Sequence, residues 1–121
     1  MLAVREHCYH NTKVLDLSGR FDAHSKLGLE VAILGAQEMG CHHIVLNFSD
    51  ITWIDSAGLG QLFLWYHNMK FHHVHLSIVS PQSAVKNLLE SAHLSDIVPI
   101  YQTEREAMEA HTISSLPLMN E

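Results

Sequence analysis

Basic residues are scarce. Lysine and arginine total 7 against 13 acidic residues, a formal charge of −6, and no window is rich in either. Non-specific contact with nucleic acid or an anionic membrane needs a basic patch, so neither partner is expected. Long apolar runs are missing too. The longest are too short to span a bilayer, and the first residues carry no signal-peptide pattern. Cysteine is limited to Cys8 and Cys41, which form no C-x-x-C motif. A disulfide scaffold or thiolate zinc site is therefore not expected. No internal repeat, low-complexity tract or linker occurs. What is left is a single cytoplasmic α/β domain over residues 1–121, 47% hydrophobic, long enough to remove roughly two-thirds of its unfolded surface from water.

The periodicity outlines the elements. Residues 3–10 and 13–18 alternate, Leu15 and Leu17 sharing a face, and with the Asn11-Thr12 turn they read as an antiparallel pair that ends at Gly19. From about Ala23 the period becomes helical. Leu27, Val31 and Leu34, flanked by Leu29, Ala32, Ile33 and Ala36, predict a broad buried face started by Asp22 or Ser25 and stopped at Gly40. Residues 43–48 are apolar on both sides, as suits a covered central strand. A second helix is predicted over 57–69, with Leu59, Leu62, Phe63 and Tyr66 inward. Residues 74–79 read as a strand, and Ser80-Pro81 as the cap and first residue of a third helix with Val85, Leu88, Leu89 and Ala92 inward. A short edge strand over 97–101 carries Pro99. Thr103 with Glu106 forms a capping box for a last helix through about Ala110, and residues 112–121 are expected to fray. The order ββαβαβαβα, with short connections, implies a mostly parallel sheet with helices packed on it.

One segment stands apart: Asp55-Ser56-Ala57-Gly58-Leu59-Gly60. It joins the carboxyl end of a strand to a helix, where open α/β sheets place their sites. Ser56 is expected as the N-cap, beside free N–H groups and the positive end of the helix dipole. Gly58 and Gly60 cost helix propensity, roughly 1 kcal/mol each against Ala, and let another backbone approach closely. Two readings follow. Ser56 is a structural cap with glycine spacers, or it is a phosphorylation switch, since a helix N-terminus holds a phosphate without unfolding.

The same residues resemble the signature of the STAS domain of bacterial anti-sigma factor antagonists. Leu17-Ser18-Gly19-Arg20-Phe21-Asp22 is similar to that family's strand-end motif, and the likeness covers residues 5–110. It implies the STAS fold, a mixed, mostly parallel sheet of about five strands with about four helices. It further implies partner switching. The unphosphorylated protein binds an anti-sigma factor with serine kinase activity and frees the sigma factor; phosphorylation of Ser56 ends that binding, and a PP2C-type phosphatase restores it. Asp22, Asp55, Ala57, Gly58, Leu59 and Gly60 would then join Ser56 in the partner surface. The chain departs from many relatives in carrying Arg20 where an acidic residue is usual, in its Lys70-Phe71-His72-His73 segment, and in Trp53 for Phe or Tyr.

The alternatives are a STAS regulator of a transport or lipid-trafficking system, without phosphorylation, and a small serine hydrolase. A nucleophile elbow needs glycine two positions before the serine, where Ile54 stands. A metal held by His73, His75, His42 and His43 lacks the motif support of a zinc site, and no metal is expected. No P-loop or dinucleotide fingerprint occurs, so no cofactor is expected. No residue pattern indicates an oligomeric state.

Histidine, by contrast, is abundant. Protonating all 11 takes the formal charge from −6 to +5, a reversal centred near the ordinary imidazole pKa of about 6.5. Solubility measured across mildly acidic buffers should pass through a minimum near the sequence pI of 5.9.

Overall fold

A computed structural model describes residues 2–115, with side chains through residue 110. In chain order the elements are β1 (Leu2–Tyr9), β2 (Thr12–Phe21), α1 (Lys26–Glu38), β3 (His43–Ile54), α2 (Ser56–Phe71), β4 (His75–Val79), α3 (Ser83–Ser91), β5 (Ile100–Tyr101) and α4 (Glu104–Ser115). Two 3-10 turns, Ala23–Ser25 and Leu94–Asp96, precede α1 and β5. The sheet order is β1-β2-β3-β4-β5; β1 is antiparallel to β2 and every other pair is parallel. This is the expected mixed α/β arrangement.

Alternation along the strands divides the core into two layers. Leu15 and Leu17 of β2, Ile44, Leu46 and Phe48 of β3, and Leu76 and Ile78 of β4 meet the buried residues of α1, α2 and α3. Val14, Val45 and Val79 face the other way and meet Ala107 of α4. Residues 43–46 of β3 are buried on both faces.

The first helix buries only part of its expected broad face. Leu29, Ala32, Ile33 and Ala36 are buried, whereas Leu27, Val31 and Leu34 are 69%, 64% and 43% exposed. Both stripes have helical spacing, so periodicity alone does not choose between them. Ala32 and Ala36 allow the helix to lie close to the sheet, with Leu29 and Ile33 filling the space beside them.

Other boundaries move for local reasons. The β1–β2 turn is His10-Asn11, with His10 at φ 55°. Gly19 does not end β2: it sits at φ 103° beside a register shift, and the strand continues to Phe21. That bulge turns Phe21 into the core, 5.7 Å from the Phe48 ring. Strand β3 likewise outruns residues 43–48, and its extension ends at the buried Ile54. Ser80 does not cap α3. It adopts a left-handed conformation, and its hydroxyl donates to the Gln102 carbonyl at 2.7 Å. Thr103 Oγ1 accepts from the Glu106 N–H at 3.1 Å, while Glu106 Oε1 accepts from Gln102 N–H at 2.9 Å, one residue before the expected box partner. Residues 112–115, expected to fray, continue α4; residues 116–121 lie outside the described residues.

One cation is built into the core margin. Lys13 is buried, and its Nζ donates to Glu6 Oε1 at 3.1 Å. The Cys8 and Glu6 side chains raise its pKa above the ordinary 10.5, against the opposing effect of burial. Burial, aided by Cys8, pushes the Cys41 thiol above 9.0. In both cases the folded chain holds its proton more tightly than the unfolded chain, so each contribution is complete below the ordinary pKa and lost as pH rises through the folded one. Urea midpoints should therefore be flat from neutral pH to 9.0 and fall above it. In Cys41→Ala the fall between 9.0 and 10.5 should shrink, leaving the steeper loss above 10.5.

Candidate functional site

The segment 55–60 lies where β3 ends and α2 begins. Asp55, not Ser56, caps the helix. Its backbone is extended, and its Oδ1 accepts the Gly58 N–H at 3.0 Å. Asp is as good an N-cap as Ser, and with the carboxylate in that role Ser56 becomes the first helical residue. The Ser56 side chain is exposed and has no hydrogen-bond partner among the described residues. The structural-cap reading of Ser56 is thereby corrected.

Gly58 explains why the helix starts where it does. It is buried, and a Cβ there would collide with the carbonyl oxygen of Phe21 and lie 2.7 Å from that residue's ring carbon Cδ1. The first turn of α2 thus rests directly on the end of β2. Gln61, one turn on, donates from Nε2 to the Asp22 carbonyl at 2.8 Å. Gly60 is different: it is exposed, and nothing lies within 4 Å of a Cβ built on it. Ala57 is exposed and Leu59 half-buried.

Asp22 is brought to the same rim but is occupied there. One carboxylate oxygen accepts the His24 N–H at 2.9 Å, and its own N–H donates to Ser25 Oγ at 3.0 Å, a reciprocal cap on the 3-10 turn. Arg20 Nε lies 3.8 Å from its other oxygen. The Arg20 guanidinium also stacks over the exposed Trp53 ring, 4.6 Å from its centroid. Sequence reasoning singled out Arg20 and Trp53 only as departures from a pattern; parallel pairing of β2 with β3 places them opposite each other. Gln61 it missed altogether. The signal was a lone polar residue in the otherwise apolar inner stripe of α2.

Among the described residues, no histidine bonds to the Ser56 hydroxyl, the contact that a serine hydrolase's general base makes. The histidines weighed as metal ligands do not converge. His43 is buried and bonded to Ser77 Oγ at 2.7 Å, His75 is exposed, and His73 lies in a turn at φ 60°. Three of them border a cavity of about 440 Å³ with Tyr66, Lys70 and Tyr101, near the start of β3 and β4 and away from Ser56.

The exposed serine thus stands at a capped helix start on a five-stranded mixed α/β sheet. The STAS domain family profile matches residues 3–107, and this chain belongs to that family. The anti-sigma F factor antagonist of Paenibacillus polymyxa is 29% identical over 99 residues, covering 78% of this chain and 82% of the relative. An anti-sigma factor antagonist from Mycobacterium paratuberculosis shares the fold at TM-score 0.79 and 21% identity, over 91% of this chain and 93% of that one. SpoIIAA in its unphosphorylated form aligns at TM-score 0.75 and 20% identity, over 96% and 100%. The phosphorylated form of the Bacillus SpoIIAA aligns at 0.68 and 20%, over 89% and 98%.

The two glycines separate packing from surface roles. Gly58→Ala should cost about 1–3 kcal/mol of stability through the clash with Phe21. Gly60→Ala should leave stability unchanged or raise it by up to ~1 kcal/mol. Urea denaturation of the two variants side by side measures both.

Proposed function

We propose that this chain is an anti-sigma factor antagonist that works by partner switching, with Ser56 as the phosphoacceptor. The reading rests on one observation above the others: Asp55 takes the capping role, so the Ser56 hydroxyl owes nothing to the fold. Relatives named as anti-sigma factor antagonists support the class, and the phosphorylated and unphosphorylated forms of SpoIIAA support the switch in that protein. The partner is an anti-sigma factor with serine kinase activity, and a PP2C-type phosphatase reverses the modification. The chain acts by binding, not by catalysis.

The physical mechanism is local. A phosphate adds about −1.5 to −2 charge at pH 7. The Asp55 side chain occupies the Gly58 N–H, which leaves the N–H groups of Ser56 and Ala57 and the helix dipole to favour the anion in the free protein. In a complex, the same charge beside Asp55 and Asp22 meets a partner in close, partly desolvated contact. Like-charge juxtaposition there costs several kcal/mol, equivalent to orders of magnitude in affinity. No refolding of the antagonist is required.

Ser56→Ala should bind the anti-sigma factor as wild type does and stay bound when kinase and ATP are supplied. Ser56→Asp should melt within a few degrees of wild type yet bind at least tenfold more weakly, as read by calorimetric titration. If ATP still dissociates the Ser56→Ala complex, or phosphopeptide mapping finds the phosphate on another residue, the assignment of Ser56 fails.

A further inference from the structure

The face of the sheet covered by α4 carries a second constellation, separate from the Ser56 rim. His7 of β1, Asp16 of β2 and Glu104 of α4 each present one ligand atom, all within 4.8 Å of one another. All three side chains are partly open to water. His7 Nε2 is 3.1 Å from Asp16 Oδ2. The amide of Asn47 donates to Asp16 Oδ1 and to Glu104 Oε2, at 3.0 Å each, and so holds the two carboxylates side by side. His7 Nδ1 lies 3.2 Å from the Tyr9 hydroxyl, which orients the ring with Nε2 toward the carboxylates. We propose that His7, Asp16 and Glu104 form a site for a divalent first-row transition metal ion, with water completing the coordination.

Charge and donor chemistry both favour an ion. Two carboxylates face one imidazole, and among the described residues no lysine or arginine pairs with either carboxylate. Even a protonated His7 leaves the trio negative; a neutral imidazole with a divalent cation balances it. One nitrogen and two carboxylate oxygens suit zinc, with bonds of about 2.0–2.2 Å and ligand atoms roughly 3.3 Å apart in a tetrahedron. The His7–Asp16 separation, a hydrogen bond of 3.1 Å, is close to that value. Glu104, on a long side chain, closes the remainder by rotamer adjustment. Asn47 and Tyr9 are the outer groups that fix ligand orientation in such centres. Because the ligands come from β1, β2 and α4, the ion would tie the last helix to the antiparallel edge of the sheet. Binding displaces any proton that Nε2 carries toward Asp16.

Zinc titration of the full chain by calorimetry tests this. Wild type should bind one equivalent saturably and melt at a higher temperature in its presence. Asp16→Asn and Glu104→Gln, which keep shape and remove ligand charge, should each weaken that binding about tenfold or more and abolish the thermal shift. Their circular dichroism and metal-free melting establish that they are folded. His75→Ala, which leaves the site intact, should bind as wild type does. The assignment is overturned if wild type shows no saturable equivalent, if both carboxylate variants keep wild-type affinity, or if His75→Ala alone loses the site.

Discussion

The start of α2 is held by two contacts that reinforce each other. The Asp55 carboxylate satisfies the Gly58 N–H, and the absence of a side chain at Gly58 lets that turn sit against the Phe21 carbonyl. A side chain at position 58 would push the helix outward from the end of β2, carrying Ser56 with it, and loss of the Asp55 carboxylate would leave the Gly58 N–H without its cap. The Gln61–Asp22 bond fixes the same approach one turn later. Three contacts within seven residues therefore specify where the serine stands, and none uses the serine itself. Positioning and chemistry are assigned to different side chains, which is what a surface altered by modification requires: the group that changes charge must not be one the fold depends on.

Much of this was legible in the sequence. The order of elements follows from periodicity and punctuation, and the mostly parallel sheet follows from the short connections. The site motif was visible because two glycines at the start of an amphipathic helix contradict local propensity, and such contradictions mark places where something other than the helix is being served. What stayed hidden has identifiable causes. Asp55 and Ser56 are both good caps and adjacent, so composition cannot rank them; only the backbone decides. Helix α1 is apolar around most of its circumference, so two stripes compete, and the one that contains both alanines takes the sheet face. Gly19 looked like a stop because a glycine bulge and a glycine terminus read alike until the partner strand is seen. His7 and Asp16 sit on one hairpin, but Glu104 comes from the far end of the chain and the three share no motif, so no one-dimensional signal brings all of them together.

The bulge at Gly19 links these points. By shifting the register between β2 and β3 it carries Arg20 opposite Trp53 and turns Phe21 inward, beneath Gly58. A β2 that ended at Gly19 would leave the first turn of α2 without its floor. The strand-end motif and the helix-start motif, though far apart in sequence, are two sides of one packing contact. Their joint appearance is a geometric requirement: the glycine of one accommodates the backbone of the other.

Arg20 then shapes how the rim responds to charge. Its guanidinium is largely exposed, lies on Trp53, and is 3.8 Å from Asp22. An ion pair so open to water contributes little to folding, so its influence falls on whatever approaches. With Asp22 and Asp55 it leaves the unmodified rim at a formal charge of about −1; on the proposed reading, phosphate takes it to about −3. A partner that tolerates the first value need not tolerate the second. Arg20 sets the starting point low enough for a single modification to dominate the field. An acidic residue in its place would begin the switch from a more negative rim, with a smaller proportional change. On the proposed reading, the departure from the usual pattern at this position would act on the contrast between the unmodified and modified forms more than on the stability of either.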